Sequence, residues 1–125
     1  MKIGIFGGSF NPPHKMHKKI AKILIKKGYV DKIIFVPTGL KYEYKTNLVS
    51  NEKRVEMLSL MIGKERNMSI SEYELQPNPV YTYETLKHFK KIYNDDDIYF
   101  ICGADNLSYI DKWKNGESIL KNYKI

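Results

Sequence analysis

The chain has 125 residues, of which 42% are hydrophobic, so it is long enough for one domain with a modest core. Its 21 basic and 14 acidic residues give a net charge of +7, which suits phosphate-bearing ligands or simply a well-hydrated surface. No apolar run is long enough for a membrane span, no secretory signal is visible, and the single cysteine, Cys102, excludes a disulfide framework. We therefore expect one cytoplasmic domain over residues 1–125, with no membrane partner. Nucleic acid is not expected either, because no RNA-binding aromatic signature is present, and homo-oligomer formation stays open.

The first predicted elements are a short strand and an amphipathic helix. Residues 2–6 are mostly apolar and predict a buried strand. Residues 14–27 carry apolar and lysine side chains at helical spacing, and Gly28 is a typical helix stop. The inward-facing positions of this helix are predicted to be Ile20, Ala21, Ile23 and Leu24.

Strands and helices alternate along the rest of the chain. The predicted elements are a strand at 32–36, a loop at 37–49, a helix at 51–62, a strand at 68–74, a helix at 82–93, a strand at 98–102 and a short helix at 116–121. Such alternation is typical of the α/β class, with a Rossmann-like, doubly wound and mostly parallel sheet. Right-handed crossovers then place the first strand between the second and the fourth.

The carboxyl ends of the first and fourth strands form the topological switch point of such a sheet, which is where ligands bind. Gly7 and Gly8 directly follow the first predicted strand, and Gly103 and Asp105 follow the fourth. Two glycine-containing loops that are distant in sequence are therefore predicted to meet at one site.

The loop after the first strand carries groups suited to phosphate. Backbone N–H groups of a glycine-rich turn can cradle an anion, because no Cβ keeps the backbone at a distance. This cradle is predicted to consist of Gly7, Gly8, Ser9 and Phe10. His14 and His17 share one helix face and can both donate hydrogen bonds to one anion; the alternative is a plain tight turn with two helix-capping histidines. No metal site is expected, since the remaining candidates are Cys102 and His88, which is predicted to face solvent.

The run Gly-Gly-Ser-Phe-Asn-Pro-Pro-His at residues 7–14, with a second histidine at 17, resembles the signature of the nucleotidylyltransferase superfamily. Its form is most similar to the nicotinate (or nicotinamide) mononucleotide adenylyltransferases, although Met16 stands where that family usually has glycine. Two more blocks resemble the same family in the same order: Tyr-Thr-Tyr-Glu-Thr-Leu at 81–86, and Phe-Ile-Cys-Gly-Ala-Asp-Asn-Leu at 100–107, with Lys-Trp at 112–113.

The resemblance implies two groups of site residues besides the catalytic pair His14 and His17. The residues implied for ATP and its phosphates are Gly7, Gly8, Ser9, Phe10, Gly103 and Asp105. Those implied for the mononucleotide are Tyr81, Thr82, Trp113, Lys45 and Arg54. The plain alternatives are a core role for Trp113 and a surface ion pair of Arg54 with Glu56 or its neighbours.

The function that the resemblance implies is transfer of AMP from ATP to nicotinate or nicotinamide mononucleotide, with release of pyrophosphate and with Mg²⁺ accompanying ATP. Other small nucleotidylyltransferases, a pantetheine-phosphate adenylyltransferase or a cytidylyltransferase, are the alternative enzymes. The family usually continues with an Ile-Ser-Ser/Thr-x-x-x-Arg segment, which residues 1–125 do not contain. A nucleotide-binding domain without catalysis is therefore an alternative from another class.

Overall fold

The structure is a computed structural model, and it describes residues 1–8, 10, 13, 15–38, 50–76, 80 and 82–101. Strands and helices alternate through this part of the chain, as the sequence predicts. The elements are β1 (Lys2–Gly8), α1 (Lys15–Lys26), β2 (Lys32–Pro37), α2 (Asn51–Ile62), β3 (Met68–Ile70), α3 (Thr82–Ile92) and β4 (Asp97–Ile101). None of these three helices has the length and apolar content needed to cross a membrane.

The four strands form one parallel sheet in the order β3-β2-β1-β4. The predicted position of the first strand between the second and the fourth is therefore confirmed. In the register of the sheet, Gly8 of β1 lies beside Pro37 of β2, and Phe6 of β1 lies beside Ile101 of β4. The carboxyl ends of the three neighbouring strands β2, β1 and β4 thus share one edge.

Each face of the sheet has its own hydrophobic core, because side chains alternate between the faces along a strand. On one face, Ile3 and Ile5 of β1 pack with Leu86 and Phe89 of α3. On the other face, α1 and α2 cover the sheet. The buried residues of that second core are Phe6, Phe10, Ala21, Val30, Ile33, Phe35, Leu58, Ile62 and Met68. Helices on both faces confirm the doubly wound, Rossmann-like architecture.

The inward face of α1 differs from the prediction. Ala21 is buried and Leu24 is half-buried, as expected, but Ile20 and Ile23 are exposed, and Ile25 packs against the core instead. The helix is rotated so that the stripe at positions 17, 21, 24 and 25 meets the sheet. Because α1 is apolar on more than one side, periodicity alone could not fix this rotation.

β3 is shorter than predicted and ends at Ile70. After Ser71, whose N–H donates to the carbonyl of Phe35, the chain turns away from the sheet. The Ser71 hydroxyl accepts a hydrogen bond from the N–H of Tyr73 at 3.2 Å, which is a local serine turn that competes with strand pairing. This turn directs the following residues toward the beginning of α3.

Candidate nucleotide-binding site

The carboxyl edge of the sheet gathers the predicted binding groups. In a parallel sheet with crossover helices, each helix begins at the edge where the preceding strand ends. Gly7 and Gly8 close β1, His17 stands near the start of α1, Arg54 near the start of α2, and Thr82 is the first residue of α3. The topology therefore places the described members of the predicted site at the same edge of the sheet.

The buried side chain of Phe10 holds the turn after β1 in place from the core side. Its backbone has a φ of 48°, a left-handed conformation that is uncommon for a residue with a side chain. The ring is 2% exposed and packs edge-on against Phe6 and Phe35, with centroid distances of 5.7 Å to each. Burial of this ring holds the unusual backbone in place, so the side chain of Phe10 is an anchor, and only its backbone can face a ligand.

His17 is oriented by the same aromatic cluster. Its half-buried imidazole stands edge-on to Phe10, with centroids 4.9 Å apart, and edge-on to Phe6 at 5.9 Å. Packing of this kind restricts the ring to a small range of orientations. A neutral or charged imidazole fixed at the start of a helix is suited to donating a hydrogen bond to phosphate.

Among the described residues, the two glycines that end β1 have room for a side-chain carbon. Of the described residues, the Phe100 ring is nearest to a Cβ placed on Gly7, at 3.4 Å, and the Phe10 ring is nearest to one placed on Gly8, also at 3.4 Å. These are ordinary van der Waals distances, and neither glycine has a positive φ. The lack of a Cβ at these two positions leaves their backbone open to a close approach.

Arg54 is a buried residue, so its interpretation as a surface ion pair with Glu56 is wrong. Its guanidinium Nη2 donates to Asn51 Oδ1 at 2.5 Å, one turn earlier on α2, and burial lowers its pKa. Helix α2 is capped by Ser50, whose hydroxyl accepts a hydrogen bond from the N–H of Lys53. This cap and the side-chain bond from Arg54 to Asn51 fix the first turn of α2 at the edge of the site.

A buried carboxyl behind the start of α3 was not predicted from the sequence. Glu74 Oε2 accepts a hydrogen bond of 2.6 Å from Thr85 Oγ1, and both side chains are buried. Burial raises the pKa of Glu74 to about 7; the Thr85 hydrogen bond lowers it, and the charge of Glu84 raises it further. Glu74 is the last residue of the strand predicted at 68–74, and no sequence signal distinguished its carboxyl from an exposed one.

Thr38 is a second polar residue that sequence reasoning missed. Its N–H donates to the carbonyl of Gly8 at 3.0 Å, so it extends the pairing of β2 with β1 at the edge of the site. Its hydroxyl oxygen is buried and has no hydrogen-bond partner within the described part of the chain.

His88 does not face solvent as predicted. Its ring lies parallel to Tyr73, with centroids 3.8 Å apart, and half-buried beside Phe89. Within the described ranges, no three His, Cys, Asp or Glu side chains are grouped so as to hold a metal ion. Some predicted site residues fall outside the described residues; these are Ser9, His14, Lys45, Tyr81, Gly103, Asp105 and Trp113.

Comparison with known proteins agrees with this architecture. The family model described as cytidylyltransferase-like matches residues 5–125. Curated relatives from Carboxydothermus hydrogenoformans and Clostridium tetani, each named "Probable nicotinate-nucleotide adenylyltransferase", are 39% and 40% identical over 99% of this chain. The fold is shared with a solved structure, that of Plasmodium falciparum nicotinic acid mononucleotide adenylyltransferase complexed with NaAD. The TM-score is 0.83 at 23% identity, and the match covers 94% of this chain and 59% of that chain. The chain spans 62% and 63% of the length of the two curated relatives.

Proposed function

Because the chain belongs to the cytidylyltransferase-like family, which its match over residues 5–125 establishes, we propose that it contributes the nucleotide site of an adenylyltransferase. The substrates are ATP and a pyridine mononucleotide, and the products are a dinucleotide and pyrophosphate. The nicotinate form is the preferred substrate in this proposal, because the curated relatives carry that substrate in their names.

The proposed reaction needs no covalent intermediate on the protein. An oxygen of the 5′-phosphate of the mononucleotide attacks the α-phosphorus of ATP, and the bond from that phosphorus to the bridging oxygen of the β-phosphate breaks. The electron pair leaves with pyrophosphate. Catalysis of this kind depends on positioning and on stabilising negative charge. Magnesium arrives with ATP and offsets the charge of the triphosphate.

Each group at the carboxyl edge has a role in this proposal. Backbone N–H groups at Gly7 and Gly8 approach the phosphates, and His14 and His17 donate hydrogen bonds to phosphate oxygens as pyrophosphate departs. The beginning of α3, at Thr82, holds the carboxylate or carboxamide of the pyridine ring through backbone N–H groups. Arg54 belongs to the mononucleotide side of the crevice.

The single observation that carries the proposal is the packing of His17 against the turn that follows β1. Its imidazole packs edge-on against Phe10 and Phe6, in the turn that joins the central strand to the first helix. That position is the place where doubly wound sheets bind phosphate.

The test is pyrophosphate release by the full chain with MgATP and either nicotinate or nicotinamide mononucleotide. We expect His17→Ala and His14→Ala to lower kcat by about 100-fold or more, the range seen when a charge-stabilising donor is removed. His88→Ala is the matched control, because it removes the remaining histidine, which stacks on Tyr73 outside the predicted site. Melting temperatures of all three variants show whether a lower kcat reflects a lost catalytic group or a destabilised fold. This control is needed because His17 also contributes packing.

A thermal-shift panel separates this proposal from its alternatives. Nicotinate mononucleotide, nicotinamide mononucleotide, 4′-phosphopantetheine and CTP are added one at a time. Stabilisation by the last two alone would identify another nucleotidylyltransferase. Stabilisation by a pyridine mononucleotide without any pyrophosphate release would identify a nucleotide-binding domain that lacks catalysis, and normal turnover in both histidine variants would refute the assigned mechanism.

A further inference from the structure

Glu74 is a buried carboxyl that the proposed reaction does not use. It follows β3, is 5% exposed, and its Oε2 accepts a hydrogen bond of 2.6 Å from Thr85 Oγ1. Thr85 is buried as well and lies three residues after Thr82, in the first turn of α3. The carboxyl is therefore fixed directly behind the turn with which α3 begins.

In the described part of the chain, the titratable groups that neighbour this carboxyl on its own segment and on α3 include Glu72, Glu84 and His88. Glu84, in the first turn of α3, is the charged group that acts on Glu74. Glu72 is exposed, and His88 stacks on Tyr73 farther along the helix. Because solvent and salt screen a buried charge less, a charge on Glu74 acts on the start of α3 more strongly than a charge on Glu72.

We propose that Glu74 is a specificity residue whose ionisation decides whether the beginning of α3 accepts an acidic or a neutral pyridine ring. This inference rests on the proposed function, in which the ring substituent meets backbone N–H groups near Thr82. The helix N-terminus attracts a carboxylate as long as Glu74 is uncharged. Once Glu74 is ionised, a second negative charge lies behind the same turn and repels the nicotinate carboxylate, whereas the neutral nicotinamide group is held equally well.

The preference between nicotinate and nicotinamide mononucleotide changes near neutral pH, because burial raises the pKa of Glu74 to about 7. Affinity for nicotinate mononucleotide, relative to nicotinamide mononucleotide, is highest below that pH and falls above it. Thermodynamic linkage requires the reverse effect as well: binding of nicotinate mononucleotide raises the pKa of Glu74 and takes up a fraction of a proton.

The experiment measures Kd for both mononucleotides by calorimetry between pH 6 and pH 8.5 with the full chain. Their phosphates titrate alike, so the ratio of the two Kd values isolates the ring substituent. In the wild type we expect the ratio Kd(nicotinate)/Kd(nicotinamide) to rise about three- to tenfold across this range, as expected for one partly screened charge. In Glu74→Gln the ratio stays at its low-pH value. Buffers of different ionisation enthalpy report the extra proton uptake, which Glu74→Gln abolishes.

Further variants keep the test decisive if Glu74→Gln folds poorly. Thr85→Val removes a hydrogen bond that favours the ionised carboxyl, so the midpoint of the ratio moves to higher pH. Glu72→Gln and His88→Gln, which change neighbouring titratable groups, leave the midpoint where it is. A flat ratio in the wild type, or an unchanged pH dependence in Glu74→Gln, overturns the inference while the proposed function stands. Failure of both ligands to bind at every pH overturns the proposed function and, with it, this inference.

Discussion

The imidazole of His17 meets the ring of Phe10 edge-on, with centroids 4.9 Å apart and ring planes at 79°. This contact joins the turn after the central strand to the first helix. Phe10 keeps its left-handed backbone because its ring is buried, and the same ring limits how the histidine can turn. The core packing on this face of the sheet therefore determines the geometry of the proposed phosphate site.

Replacement of Phe10 by leucine tests this coupling. Leucine keeps most of the apolar volume, so we expect a loss of unfolding free energy of about 1–3 kcal/mol. Turnover of the folded protein should fall by about tenfold or more, because His17 loses its orientation and a misplaced catalytic group is costly. Phe89→Leu is the matched control, since Phe89 is a buried phenylalanine in the core on the opposite face. Equal turnover in the two variants, relative to their folded fractions, would contradict the coupling.

Replacement of Gly8 by alanine tests whether a ligand, and not packing, requires glycine there. Among the described residues, the added Cβ meets the Phe10 ring at 3.4 Å, so stability should stay the same or rise by up to about 1 kcal/mol through loss of backbone freedom in the unfolded chain. If the proposed phosphate site is right, nucleotide affinity should fall at least about tenfold, or 1.4 kcal/mol, because the methyl group would occupy the place proposed for the phosphate.

Gly28→Ala is a control for Gly8→Ala, because it should lower stability and leave nucleotide affinity unchanged. Gly28 has a φ of 77° at the end of α1, and alanine in that conformation costs about 1–2 kcal/mol. Its melting temperature should therefore fall while nucleotide affinity is kept. Loss of stability without loss of affinity in Gly8→Ala would show that the glycine has only a structural role.

The sequence predicted the order and type of the elements because strand and helix periodicities differ and the glycine stops are clear. Helix α2 has the predicted bounds, 51–62. The features that were predicted wrongly depend on contacts between residues that are distant in sequence. Ile20 and Ile23 are exposed because the rotation of α1 follows the packing of Ala21 and Leu24, and β3 ends early because Ser71 forms a local turn.

Only those residues of the candidate site that belong to one short sequence motif could be predicted. Glycines 7 and 8 and His17 lie in one short stretch, and the structure places them at the predicted edge. Glu74 and Thr85 are eleven positions apart, and their hydrogen bond depends on how the segment after β3 returns to α3. No periodicity or motif in the sequence encodes that return, so a buried carboxyl near the site could be recognised only in three dimensions.

Glu74 makes a specific contribution to the pH dependence of stability. Its pKa is about 7 in the folded protein and 4.5 in an unperturbed carboxyl, so the folded state binds more protons between these values. Its contribution is therefore fully favourable below about pH 4.5 and is lost as pH rises to about 7, by up to about 3 kcal/mol. Glu74→Gln should remove this slope and be more stable than the wild type at pH 8. Urea unfolding at pH 5, 6, 7 and 8 measures the slope, and parallel curves for the two proteins would contradict the prediction.

Trp113 offers a direct optical test of the mononucleotide side of the site. It is the only tryptophan in the chain, so a change of emission on adding nicotinate mononucleotide reports on this residue alone. If its indole stacks on the pyridine ring, Trp113→Ala should weaken mononucleotide binding about three- to tenfold, since such stacking is worth about 0.5–1.5 kcal/mol. ATP affinity should change little, because the proposed function assigns ATP to the side of the crevice with His14 and His17. A tryptophan that only anchors the core would instead lower stability by about 3–5 kcal/mol and weaken both ligands together. Melting temperature and both affinities, measured on the one variant, distinguish the two roles.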